Sequence, residues 1–170
     1  PNAFGQYDEG PEDTARQVLQ WLEKNLFSAE RGLYLDGLRL TSQGHTMEPA
    51  VYTYNQGTVL GALLELGEPA DLAHAQVLID ATTHSLSSAA GVLAFNRGGD
   101  GNLFAGILCR YLALAAKDHR LEAPSREQAK DLVTATAGHL IDQEPRRLSA
   151  AVQRWMIFAA AAQIELEAGE

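Results

Sequence analysis

Two short stretches of this 170-residue sequence hold the residue types best suited to chemistry on a polar ligand. The first is Tyr52-Thr53-Tyr54-Asn55-Gln56-Gly57, at the mouth of an otherwise apolar helical segment. Tyrosine rings offer flat faces for a sugar ring, and side-chain amides present both a donor and an acceptor to its hydroxyls. The free N–H groups at a helix start add further donors. The same residues admit an architectural reading, in which Asn55 caps the helix and the tyrosines pack on a neighbouring hairpin. The second stretch is Asn96-Arg97-Gly98-Gly99-Asp100-Gly101-Asn102-Leu103-Phe104, whose glycines let the backbone come close to another group. It is not a phosphate-binding loop, since it lacks the Gly-Lys-Ser/Thr ending and a preceding strand. Further on, Arg110 lies inside an apolar segment, where a charge calls for a partner; an acid on a neighbouring hairpin would serve.

Other chemistries find less support. His45, His74, His84, His119 and His139 show no i,i+4 pairing and have no cysteine nearby, so neither a metal site nor a cofactor is expected. No Gly-x-Ser-x-Gly element is present. The adjacent acids Asp8-Glu9 and Glu12-Asp13 are expected to precede or cap the first helix. With 13 Lys and Arg against 22 Asp and Glu, a net charge of -9, the chain is a poor match for nucleic acid; its nearest approach to a basic cluster is the pair Arg146-Arg147. The single Cys109 excludes an intrachain disulfide. No run approaches the roughly 18 apolar residues of a membrane span.

The elements that must position these residues are helical. Periodicity predicts segments at about Glu12–Phe27, Asn55–Leu66, Pro69–Leu86, Gly101–Lys117, a fifth capped by Ser125 and running to about Asp142, and Ser149–Glu167. The first, third and fifth are amphipathic, while the second, fourth and sixth are apolar more nearly all round. That alternation predicts an all-α chain of three hairpins with an inner and an outer layer, as in a curved helical repeat or part of an (α/α) toroid. Long connections enter the second and fourth helices, where functional residues tend to gather. The first contains Gly32 to Leu40, whose alternation around Asp36-Gly37 predicts one short β-hairpin.

The segment Tyr52 to Leu66 resembles the Thr-Tyr-Asn-Gln-Gly segment of glycoside hydrolase family 76, the endo-α-1,6-mannanases. Trp21-Leu22, Leu26, Gly32-Leu33 and Asp36-Gly37 follow that family's order, and Asp100 to Leu112 is similar to a later segment through Phe104, Gly106, Ile107, Arg110, Tyr111 and Leu112. The likeness covers about residues 15–115, and departs from the pattern at Ala105, where the family has lysine. It implies an (α/α)6 toroid with a sugar-binding groove across the ends of its inner helices, lined or supported by Asp36, Tyr54, Asn55, Gln56, Asp100, Phe104 and Arg110. The family's catalytic element is an Asp-Asp dipeptide upstream of these segments, and no Asp-Asp occurs here. Glycoside hydrolysis needs two carboxylates at a defined separation, so no catalytic residue is assigned within this chain.

The resulting expectation is a single unit, residues 1–170, forming the C-terminal half of a toroid and binding a mannan-like oligo- or polysaccharide. Its inner face would be covered by an N-terminal half or by a second copy. The alternatives are a non-catalytic glycan-binding or helical assembly module, and other α/α toroid enzymes such as sugar epimerases or unsaturated glycuronyl hydrolases. Members of the resembled family are often secreted or cell-surface proteins; this sequence carries no signal of its own for a compartment.

Overall fold

The computed structural model describes residues 10–167, with side chains to residue 165, so the acids Asp8-Glu9 lie outside the described residues. Helix α1 (Pro11–Leu26) leads through a two-rung ladder of β1 (Phe27–Ser28) and β2 (Leu33–Tyr34) into the hairpin of β3 (Gly37–Thr41) and β4 (Gly44–Glu48). Helices α2 (Thr53–Leu66) and α3 (Pro69–Ser85) follow, then a 3-10 turn (Gly99–Leu103), α4 (Phe104–Lys117), α5 (Ala123–Leu140) and α6 (Leu148–Glu167). Local chemistry explains the starts. Pro11 and Pro69 each open a helix at a position that needs no N–H, and the acid two residues on turns back on the chain. Asp13 accepts from Gly10 N–H at 3.3 Å and Asp71 from Glu68 N–H at 3.1 Å. Helix α2 ends at Gly67, whose left-handed backbone (φ 65°) returns its N–H to Leu63 O at 3.0 Å.

The expected layering is present. The apolar helices α2, α4 and α6 form one row with α4 in the middle, while α3 and α5 pack behind them. Small residues set the spacing. A side chain at Gly57 would place its first carbon 2.9 Å from Leu108 Cα, and one at Gly106 would meet Met156 Cβ at 3.2 Å. The core between the layers holds Leu60, Leu63, Leu78, Ile79, Leu108, Leu112, Leu132 and Ile157, all essentially inaccessible. Cys109 lies among them, and burial pushes its thiol up to about 12.

Polar groups tie α1 to α3 on the outer side. Arg16 Nη1 donates to both oxygens of the buried Asp71, at 2.9 and 2.8 Å, and this hydrogen bonding raises the guanidinium's pKa. Along the same junction His74 Nδ1 stands 2.9 Å from Glu23 Oε1, with its ring edge-on to Phe27 and stacked on Tyr34.

Several local expectations are corrected. The hairpin turns at Ser42-Gln43, not at Asp36-Gly37, because Asp36 N–H is taken by Ala50 O at 2.8 Å and the chain runs straight on into β3. Ser125 is not a cap: α5 starts at Ala123 behind Glu122, with Pro124 in its first turn. The stretch from Gly99 is a 3-10 turn, and α4 begins only at Phe104. On α1, Ala15 and Val18 are exposed, and Leu19 and Leu26 supply the burial. The row of inner helices turns an open face outward, carrying Thr58, Leu114, Val152 and Trp155; Trp155 is 72% exposed and Leu114 45%.

Candidate functional site

Gln56 fixes the geometry at the start of α2. Tyr34 is a residue of β2 whose N–H and C=O point away from β1, since the flanking ladder bonds are made by Gly32 and Leu35. The fully buried Gln56 amide takes both: Oε1 accepts from Tyr34 N–H and Nε2 donates to Tyr34 O, each at 2.9 Å. Nε2 also donates to Tyr52 O at 2.9 Å. One side chain thus does the work of a paired strand residue and pins the loop to the helix mouth.

Above this clamp the more open residues gather. Tyr54 OH donates to Asp36 Oδ1 at 2.8 Å. Burial first, and then the carboxylate beside it, push the Tyr54 phenol up to about 12, so it remains a neutral donor. The Phe104 ring lies 4.5 Å from that of Tyr54 and 5.4 Å from that of Tyr52, centroid to centroid, so the three rings form a half-buried aromatic patch across the starts of α2 and α4. Asn55 does not cap the helix; Tyr52 occupies that position. Asn55 Nδ2 donates to Leu35 O at 3.3 Å, while its buried Oδ1 has no hydrogen-bond partner among the described residues. A carboxylate, a neutral phenol, an amide oxygen and a face of rings therefore converge, which is the equipment for holding a polyhydroxylated ring.

The neighbouring helix mouth is closed by a different amide. Gln153 of α6 is buried, and its Oε1 accepts from Ala105 N–H at 3.0 Å and Gly106 N–H at 3.4 Å, capping α4 from outside. Asn102 Nδ2 donates to Ser149 Oγ at 3.1 Å and joins the turn before α4 to the same helix.

With this arrangement in view, comparison with known families is decisive. The model for Glycosyl hydrolase family 76 matches residues 8–155. The chain belongs to glycosyl hydrolase family 76. The fold is similar to the GH76A alpha-1,6-mannanase of Salegentibacter sp. HEL1_6 (TM-score 0.83, 27% identity, covering 92% of this chain and 54% of that one). It is equally similar to an inactive variant of that enzyme, with two consecutive aspartates replaced by alanine, in complex with alpha-1,6-mannotetrose (TM-score 0.83, 26% identity, 90% of this chain and 52% of that one). The Lin0763 protein from Listeria innocua also matches (TM-score 0.76, 25% identity, 91% and 49%). The chain thus spans about half the length of these solved relatives. No curated protein matches it.

Of the residues singled out in the sequence, Asp36, Tyr54, Asn55 and Phe104 meet at one place in this family 76 fold. Gln56 lies beneath them with its amide engaged by backbone. Asp100 is exposed on the 3-10 turn and has no side-chain hydrogen bond or ion pair to that group among the described residues. Arg110 is exposed on the inner face, its guanidinium 5.6 Å from the Tyr111 ring centroid, and has no ion pair among the described residues; the expected acid partner is not needed at an exposed position. It borders a cavity of about 340 Å³ with Trp155, Met156 and Gln163. Tyr52 and Gln153 were not among the expected site residues. Tyr52 stood in the motif itself, whereas a glutamine in the apolar α6 gives no signal beyond its polarity. Among the described residues no group of three or more His, Cys, Asp or Glu side chains could hold a metal ion, and no helix is long and apolar enough to cross a membrane.

Proposed function

We propose that this chain forms the sugar-positioning part of a family 76 glycoside hydrolase acting on α-1,6-mannan or a related polysaccharide. The observation that carries the reading is the meeting of Tyr54, Asp36 and Asn55 beside the rings of Phe104 and Tyr52, in a chain similar to a mannanase complexed with alpha-1,6-mannotetrose. A sugar lying on the aromatic patch would donate one hydroxyl to the second Asp36 oxygen and another to the Tyr54 hydroxyl oxygen, whose own proton is committed to Asp36. Asn55 Oδ1, buried and unpartnered, would be satisfied by a sugar hydroxyl reaching in beside Tyr54 or by a water bridging to one. Asp100 and Arg110 would contact the polysaccharide further along the groove.

The same reading makes this unit half of an (α/α)6 ring, its open inner face covered by a complementary half or by a second copy. The exposure of Trp155 and Leu114 on the inner helices supports a covered face, since large apolar groups gathered on one surface commonly meet a partner. Hydrolysis would use an Asp-Asp pair outside this segment, with displacement at the anomeric carbon.

A second reading, a glycan-binding module without turnover, is favoured by one fact. The similar variant that lacks its two aspartates is inactive yet still holds its oligosaccharide. Product analysis with α-1,6-mannan separates the readings. The 170-residue chain should release no oligosaccharide, and a longer polypeptide carrying both this unit and an upstream Asp-Asp element should release it. Failure of that longer polypeptide to cleave would remove the enzymatic reading.

A further inference from the structure

The pair Arg146-Arg147 is isolated in the sequence but not in the fold. Arg97, from the loop before the 3-10 turn, and Arg154, in the second turn of α6, join it around two adjoining clefts of about 370 and 590 Å³ that share Arg97, Asn102 and Arg146 in their walls. Four of the chain's 13 cationic side chains therefore surround one opening, in a protein of net charge -9, with Glu144 as the acid among them.

Three of these four arginines are not occupied elsewhere, and the fourth, Arg154, is engaged only in part. Arg16, Arg39 and Arg120 each grip a carboxylate, but the side chains of Arg97, Arg146 and Arg147 have neither an ion pair nor a hydrogen bond among the described residues. Arg154 donates from Nη2 to Ile141 O at 2.8 Å and lies over Phe158, while its buried Nε has no partner. Arg147 O accepts the first helical bond of α6 from Ala151 N–H, so two cations stand at the positive end of that helix. Like charges there repel both each other and the helix dipole, and an anion would relieve all of these contacts. The planar guanidinium fork matches the oxygens of phosphate and carboxylate.

The cleft reaches the start of α4, the helix that carries Phe104. Asn102 lines it two residues before Phe104, and Gln153, which caps α4, forms part of its wall. We infer that Arg97, Arg146, Arg147 and Arg154 bind an oxyanion substituent, phosphate or carboxylate, carried by the glycan that lies on the Tyr54 and Phe104 rings. The identity of the carrier rests on the sugar-binding reading above; the oxyanion contact rests on the arginines.

The test is a titration of the chain with α-1,6-mannotetraose, with the same oligosaccharide bearing one phosphate monoester or one uronate, and with inorganic phosphate alone. At about 0.02 M ionic strength the phosphate or the uronate ligand should bind about tenfold more tightly than the neutral one. The gain should vanish in the double variant Arg97→Gln/Arg146→Gln, with binding of the neutral ligand unchanged. Inorganic phosphate should shift the Asn102 side-chain and Arg154 Nε–H resonances in the parent chain only. Equal affinity for neutral and charged oligosaccharides, or a gain that survives the double substitution, would overturn the inference and leave the sugar reading standing. If no oligosaccharide binds but phosphate still shifts those resonances, the oxyanion cleft stands and the sugar reading is what fails.

Discussion

The junction between α1 and α3 and the mouths of α2 and α4 treat polar groups in opposite ways. At the outer junction each charge has a counterpart: Arg16 embraces Asp71, and Glu23 meets His74. At the helix mouths the buried amides of Gln56 and Gln153 are saturated, but the layer above them is only half used. Asn55 Oδ1 is unpartnered, Asp36 has one oxygen engaged by Tyr54, and three rings are half open. Unused hydrogen-bonding capacity close to a rigid base costs stability, and a ligand that supplied the missing partners would recover it. The outer junction holds the fold; the helix mouths present it.

The comparison can be broken at several points. The largest effect should come from Gln56→Leu, which strands Tyr34 N–H, Tyr34 O and Tyr52 O in a buried place; about 3–5 kcal/mol of stability should be lost in denaturant unfolding. A loss below about 1 kcal/mol would mean that the amide clamp is not the base of the site. Next, Asp71→Ala removes both the partner of Arg16 and the acceptor for Glu68 N–H, and should cost about 2–3 kcal/mol without altering glycan affinity. Gly67→Ala meets a left-handed backbone and the Arg120 guanidinium, which caps α2 by donating to Leu64 O at 2.7 Å; the expected cost is about 1–2 kcal/mol in thermal unfolding. The smallest effect on stability belongs to Tyr54→Phe, which should unfold within about 1 kcal/mol of the parent.

The same substitution has a pH signature. Because folding raises the Tyr54 phenol from 10.0 to about 12, the folded state favours its neutral form. That contribution is fully present below pH 10.0 and is lost as the pH rises through about 12, so alkaline unfolding should be less steep in Tyr54→Phe. The buried Cys109 thiol contributes in the same direction in both proteins.

Helix order and layering were legible because apolar periodicity is a property of each segment by itself. The inner position of α2 and α4 followed from apolar residues on nearly every side, and the TYNQG segment marked the right helix mouth. The hairpin was misplaced for a specific reason. Asp36-Gly37 has the composition of a tight turn, but the Asp36 carboxylate is engaged by Tyr54 and its N–H by Ala50, both from beyond the hairpin. Ser125 looked like a cap until Pro124 proved to belong to the first turn of α5. Gln153 and the arginine cleft were illegible because their partners lie far apart in the chain: Gln153 serves Ala105, and Arg97 and Arg146 come to line one cleft only in the fold.

The central claim is that the half-used groups at the helix mouths exist to hold a sugar. Calorimetric titration of the folded chain with α-1,6-mannotetraose, repeated with Asp36→Asn, Asn55→Ala and Tyr54→Phe, tests it most directly. The account predicts saturable binding by the parent chain, weakened about tenfold or more by each substitution while Asp71→Ala leaves it intact. Binding that all three substitutions leave unchanged, or no binding by a chain that is demonstrably folded, would contradict it.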